Sequence, residues 1–181
     1  MSLDIPTRAS MEQRIAHTSP APDIWNTSWT GILTSLFSSS HNYMVIPRGG
    51  NPVSGSQVPD FIFEAAKGTF APGPSGSTPI LSLRTVLVIE LKDPKYWDHG
   101  KEVILQQLRR ETDAVFSVER SPALGIARQN LYWIGAIGPH WVYGERGHGQ
   151  DVRPLIEWHD NIFDDPSYHE LLRLVELVGS L

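Results

Sequence analysis

The chain contains no cysteine. That excludes disulfides, thiolate metal centres and cysteine nucleophiles, and it leaves the redox compartment open. No run of about 18 apolar residues occurs, so no membrane-spanning helix is expected. The stretch Met1 to Pro22 lacks an apolar core of signal-peptide length and carries Asp4, Arg8, Glu12 and Arg14. It is not expected to act as a secretory leader, and the expected address is intracellular, cytoplasmic or nuclear. The seven histidines show no His-Glu-x-x-His or close zinc spacing. No serine sits in a Gly-x-Ser-x-Gly elbow. The glycines at Gly49-Gly50 and Gly73 to Gly76 are not followed by Gly-Lys-Ser/Thr, which sets phosphate-cradling loops aside.

What is present is a chain of 181 residues, 40% of them hydrophobic, enough for one domain with a real core. Fourteen prolines and fifteen glycines promise many loops. The net charge of −5 argues against indiscriminate binding to nucleic acid. It is unevenly spread: residues 151–181 hold seven acids against Arg153 and Arg173, so residues 1–150 balance at zero.

Residues 1–22 are polar and aperiodic, and are expected to form a flexible N-terminal arm before a single domain over 23–181. Trp25, Trp29, Ile32, Leu33, Leu36 and Phe37 recur at helical spacing, which predicts an amphipathic helix from Asp23 to Ser40. Tyr43, Val45 and Ile46 mark a strand ending near Arg48, and Pro59 to Ala65 marks a second. A long loop is expected over Lys67 to Pro79, then a strand from Arg84 to Lys92. Gly100 to Val118 reads as a helix capped by Asp98, with Ile104, Leu108 and Val115 inward. Leu131 to Ile137 is a nearly all-apolar strand, with a return strand from His140 to Glu145. Ser167-Tyr168-His169-Glu170 has the form of a capping box opening a terminal helix that ends near Gly179. Leu171, Leu172, Leu174, Val175, Leu177 and Val178 make that helix apolar on more than one face, as burial or a homodimer would require. The expected class is α/β: a meander of three strands, then a helical crossover to a central strand of a mixed sheet.

The segment Arg84 to Lys92 stands out because its apolar, β-branched run ends in Glu90 and Lys92. The strand period of two puts both charges on one face, with Val86 and Val88 beneath them and Leu91 on the other. A carboxylate and an ammonium at the wet end of a buried strand suit metal-assisted hydrolysis. An acid-x-Lys triplet alone means little, since about one arises by chance in a chain this size. A second copy, Asp93-Pro94-Lys95, is discounted because its proline breaks the ladder.

In context the pattern says more. Pro59-Asp60, then Glu90-Leu91-Lys92 on the next strand, resembles the PD-(D/E)xK nuclease superfamily. The helix, three strands, helix, strand order over about residues 23–137 is similar to that family's core. The resemblance implies a restriction-endonuclease-like mixed sheet flanked by helices, here with a C-terminal helix added. It also implies a hydrolase acting on nucleic acid, with DNA the expected substrate and Mg²⁺ or Mn²⁺ the cofactor. Asp60 and Glu90 would hold the metal, with the Leu91 carbonyl as a further oxygen donor. Lys92 would orient the attacking water or neutralise charge developing on the phosphate. Exonuclease-like branches add a glutamine from the following helix. Gln107 is preferred to Gln106, because it lies a turn from Val103 and borders the expected packed face. Lys101, Arg109 and Arg110 would track the phosphate backbone.

One departure stands beside these matches. Many family members carry a glutamate on the first core helix, whereas Trp25 to Ser40 contains no acid. Glu64, which shares a face with Asp60, is the substitute available. Without such an acid the alternative is a catalytically degenerate nuclease-fold domain that binds protein or nucleic acid.

Overall fold

The computed structural model describes residues 22–49, 61–70, 80–119 and 130–181. Asp60 and the expected arm, apart from Pro22, lie outside the described residues. The described chain is mixed α/β: an open six-stranded sheet, mostly antiparallel, with three α-helices. In order these are α1 (Pro22–Leu36), β1 (Tyr43–Gly49), β2 (Phe61–Phe70), β3 (Ile80–Lys92), α2 (Lys101–Glu119), β4 (Asn130–Ile137), β5 (His140–Gly147), β6 (Arg153–Pro154) and α3 (Asp165–Gly179). Short 3-10 turns occupy Ser39–His41 and Pro94–Tyr96.

Sheet order follows chain order from β1 to β6. Strands β1, β2 and β3 form the expected meander. β3 and β4 are the parallel pair, and α2 makes the crossover that such pairing demands. The sheet is apolar on both sides. Leu87, Ile89 and Leu91 face α1 and α3, packing with Trp29, Ile32, Leu171 and Leu174. Val88, Trp133, Ile137 and Val142 face α2, packing with Ile104, Leu108 and Val115. Burial on both faces is why β3 and β4 read as continuous apolar runs rather than as alternation.

Several boundaries differ from expectation. α1 stops at Leu36, and Ser39 enters a 3-10 turn closed by Asn42 at φ 64°. β2 runs on to Phe70 and β3 begins at Ile80, where a loop from Lys67 was expected. Mutual pairing over this length satisfies backbone groups that local propensity leaves unassigned. Val86 does not lie beneath Glu90. A bulge between Ala65 and Ala66 makes it the extra residue opposite β2, and it packs on the α1 side.

Two caps also move. The Gly100 carbonyl accepts the first bond of α2 from Ile104 at 2.8 Å, so Gly100, not Asp98, is the N-cap residue. α3 is capped by Asp164, whose side chain accepts from the Ser167 amide at 2.7 Å. Ser167 is buried, its hydroxyl donating to the Asn161 carbonyl and accepting from Trp141 Nε1. Glu170 accepts from the Tyr143 hydroxyl instead of closing a capping box. On α3, Leu171, Leu174 and Val178 are buried, and Val175 and Leu177 pack against the same core.

Gly144 lies beneath the Trp133 indole, and a Cβ there would collide with that ring and with the Arg153 carbonyl. The atoms nearest to a Cβ on Gly147 belong to the movable end of the Gln150 side chain. Gly144→Ala is expected to lose about 1–3 kcal/mol to overpacking in urea denaturation, while Gly147→Ala stays within about 0.5 kcal/mol of wild type.

Candidate functional site

Glu64, Glu90 and Lys92 lie on the α2-side face of the sheet, as does Arg146 of β5. Glu64 is registered opposite Val88, and Glu90 and Lys92 follow Val88 at the strand period. Glu64 is 3% exposed, Glu90 0% and Lys92 6%. Lys92 Nζ lies 3.7 Å from Glu90 Oε1, an ion pair within the strand. Thr85 Oγ1 donates to Glu64 Oε2 at 3.1 Å. Glu64 and Glu90 are diagonal neighbours on adjacent strands, their Cβ atoms roughly 7 Å apart.

Sequestering an ion costs several kcal/mol even after relaxation, in order-of-magnitude terms. The Lys92 ammonium offsets part of that penalty for Glu90, and the Thr85 hydroxyl does so for Glu64. The carboxylate donors on this face are hard oxygens of the kind Mg²⁺ and Mn²⁺ accept.

Helix α2 lies directly above. Glu90 is registered with Gly135, and a Cβ there would lie 3.2 Å from Leu108 Cδ1 and 3.5 Å from Ile104 Cδ1. The glycine lets the helix approach to this distance. Gln107, adjacent to Leu108, is half-buried at this level, whereas Gln106 is exposed. Val103 is 46% exposed, the packed stripe is Ile104, Leu108 and Val115 as expected, and half-buried Gln107 borders it. The Leu91 side chain packs into the α1-side core, and its backbone pairs with Phe61 and Ala136.

The expected phosphate contacts are dispersed. Lys101 Nζ lies over the Trp97 ring at 3.8 Å and near Trp158 at 5.7 Å. Arg109 pairs at 2.9 Å with Asp151, from the acidic C-terminal part of the chain. Arg110 is exposed. The discounted triplet does other work: the Asp93 side chain caps the Pro94–Tyr96 turn by accepting from the Lys95 amide at 2.9 Å.

Two arrangements escaped the sequence reading. Arg146 is buried and donates to the Arg109 carbonyl, the Thr112 hydroxyl, Asp113 Oδ1 and the Gln150 carbonyl, tying β5 to α2. No sequence signal marked it, because it stands beside Glu145 at the end of β5, where a solvated charge is ordinary. The second is an aromatic cluster, in which His140 stacks on Trp97 at 3.7 Å and Trp158 meets Trp97 edge-on at 5.4 Å. No sequence spacing marks it, because three separate segments supply the rings. Burial lowers the His140 pKa and nearby Lys101 adds to the effect, against the opposing pull of Asp160.

No protein-family model matches the chain, and no curated protein matches it.

Removing one partner of a buried ion pair takes away part of what offsets the other's burial. Lys92→Met is expected to destabilise by about 3–5 kcal/mol, and the double variant Glu90→Gln/Lys92→Met by clearly less than the sum of the single losses. A double-mutant cycle in urea checks this; additive losses would mean that the pair is uncoupled. A second test uses pH. The folded state holds His140 below its ordinary pKa, so its contribution is complete above about pH 6.5 and lost as pH falls through the folded value. Between about pH 7.5 and pH 5, wild type should lose more stability than His140→Phe.

Proposed function

We propose that the chain is a metal-dependent phosphodiesterase acting on nucleic acid, with DNA the favoured substrate, built on a restriction-endonuclease-like core. The observation that carries the reading is the Glu90–Lys92 pair, buried on one face of β3 at 3.7 Å. It sits in the order α1, three meandering strands, α2 and parallel β4. Support also comes from β2: Asp60 is bonded to Phe61, whose partner across the ladder is Leu91.

The donor set fits a hard divalent cation. Glu90 and Asp60 would hold it, with the Leu91 carbonyl as a further oxygen and Glu64 standing in for the acid missing from the first helix. When bound, the cation supplies Lewis-acid polarisation of the phosphate and a more acidic water. Overall, water adds across a P–O bond: its oxygen bonds to phosphorus, the bond to one sugar oxygen breaks, and that oxygen takes up a proton. Lys92 contributes a fixed positive charge where the non-bridging oxygens gain negative charge. A poorly hydrated site strengthens that interaction beyond its value in water. Gln107 offers an amide for orienting water or phosphate at the level of Glu90.

The depth of the pair favours one second reading. Glu90 at 0% and Lys92 at 6% exposure suit a degenerate domain that binds without cutting.

Cleavage of labelled single- and double-stranded DNA and RNA with Mg²⁺, Mn²⁺ or EDTA separates the two. Wild type should cut with metal and not with EDTA. Asp60→Asn, Glu90→Gln and Lys92→Ala should each lose at least about 100-fold, the scale of a lost charge-stabilising group. Asp60→Asn serves as the partner to the two buried variants, whose folding is checked by circular dichroism. No cutting by wild type, with no heat of Mg²⁺ or Mn²⁺ binding, would leave the degenerate domain.

A further inference from the structure

The aromatic cluster lies on the same face and in the same row as Lys92. Lys92 is registered with Ile137, and Ile137 with His140, so the three stand side by side across β3, β4 and β5. His140 shares its face with Val142 on the α2 side, as Lys92 does with Val88. Two strand spacings separate Lys92 from His140, about 10 Å. The join is tight: the Gly138 amide donates to the Lys92 carbonyl at 2.9 Å, and Gly138, at φ 60°, turns the chain against Pro94.

His140 is centred 3.7 Å from the Trp97 ring and Lys101 Nζ 3.8 Å from it. Two groups so near one ring centre cannot share a face, so they cover opposite faces of the indole. The histidine ring is held by its strand, while Lys101 hangs from the first turn of α2 on a flexible stem. Trp158 stands nearly perpendicular at 79°, so Lys101 occupies a corner with two aromatic walls. Asp160 lies 3.7 Å from His140 Nδ1, outside hydrogen-bonding range.

We infer that this corner receives an unpaired nucleobase beside the phosphate addressed by Lys92. A base stacks on the Trp97 face that Lys101 now covers, and the displaced ammonium pairs with the adjoining phosphate. Base–aromatic stacking is at least comparable to the cation–π contact it replaces, and the lysine exchanges a ring for an anion. A base within a duplex has no free face to offer, so the site selects single strands or frayed ends. The inference rests on the phosphodiesterase reading for its placement, but binding tests it without catalysis.

The experiment is fluorescence anisotropy in EDTA with labelled oligo(dT), oligo(rU) and a matching duplex, each about 20 nucleotides, longer than one aromatic-lined site spans. Wild type should bind the single strands more tightly than the duplex, and comparison of oligo(dT) with oligo(rU) shows which of the two strands is preferred. Trp97→Ala should weaken single-strand binding by about 5- to 150-fold, the range of base–aromatic stacking, with Trp97→Phe retaining most of it. Lys101→Ala should lower the slope of log affinity against log salt by about 0.7, one phosphate contact. Equal affinity for single strand and duplex overturns the inference. So does unchanged single-strand affinity in a folded Trp97→Ala. If that variant fails to fold, an unchanged salt slope in Lys101→Ala overturns it instead. Selective binding without metal-dependent cutting by wild type would leave the inference standing and remove the phosphodiesterase reading. Metal-dependent cutting that needs Lys92, beside strand-indifferent binding, would do the reverse.

Discussion

An ammonium held 3.7 Å from a carboxylate, both shut away from solvent on a central strand, sets the terms for the structure around it. Burial makes each charge costly, and each offsets part of the other's penalty. The strand must therefore keep Glu90 and Lys92 on one face, and the neighbouring strands must hold its register. β2 and β4 do so from opposite edges, one antiparallel and one parallel. α2 closes over the carboxylate because Gly135 lets Ile104 and Leu108 approach the sheet at that row.

The charged face differs in kind from the other. On the α1 and α3 side, the aromatic and aliphatic side chains of Trp29, Trp141, Leu171 and Leu174 form an apolar core that asks for no ligand. On the α2 side the apolar packing gives way, toward the end of β3, to Glu64, Glu90 and Lys92, and then to a rim of Trp97, His140, Trp158 and Lys101. Both sides carry a buried apolar core, whereas the buried charges of β2 and β3 lie on the α2 side. The proposed phosphodiester site and nucleobase corner are adjacent parts of that second side, joined through the row from Lys92 to His140.

Much of the candidate site was legible along the chain. Glu90 and Lys92 announced themselves because a β-branched run ending in two charges contradicts simple burial, and strand periodicity put them together. The meander, the crossover and the packed stripe of Ile104, Leu108 and Val115 followed from hydrophobic spacing. Val86 was misplaced because a single-residue bulge reverses the alternation, and no residue pattern in Arg84 to Ile89 announces one. The caps were misplaced because Asp98 and Ser167 are good cappers by type, while Gly100 and Asp164 hold the position by geometry. The apolar residues of α3 fitted burial or a second copy equally well along the chain, and the core takes Leu171, Leu174 and Val178.

The sequence alone determined the strand that carries the charges, the face they share and the helices that flank the sheet, because periodicity is a local property of the chain. The tertiary structure decided what is close across long separations. It put Asp151 on Arg109, buried Arg146 against α2, and gathered Trp97, His140 and Trp158 around Lys101. Those contacts depend on how strands from distant segments align, and alignment is set by the summed packing of both sheet faces rather than by any one segment's residues.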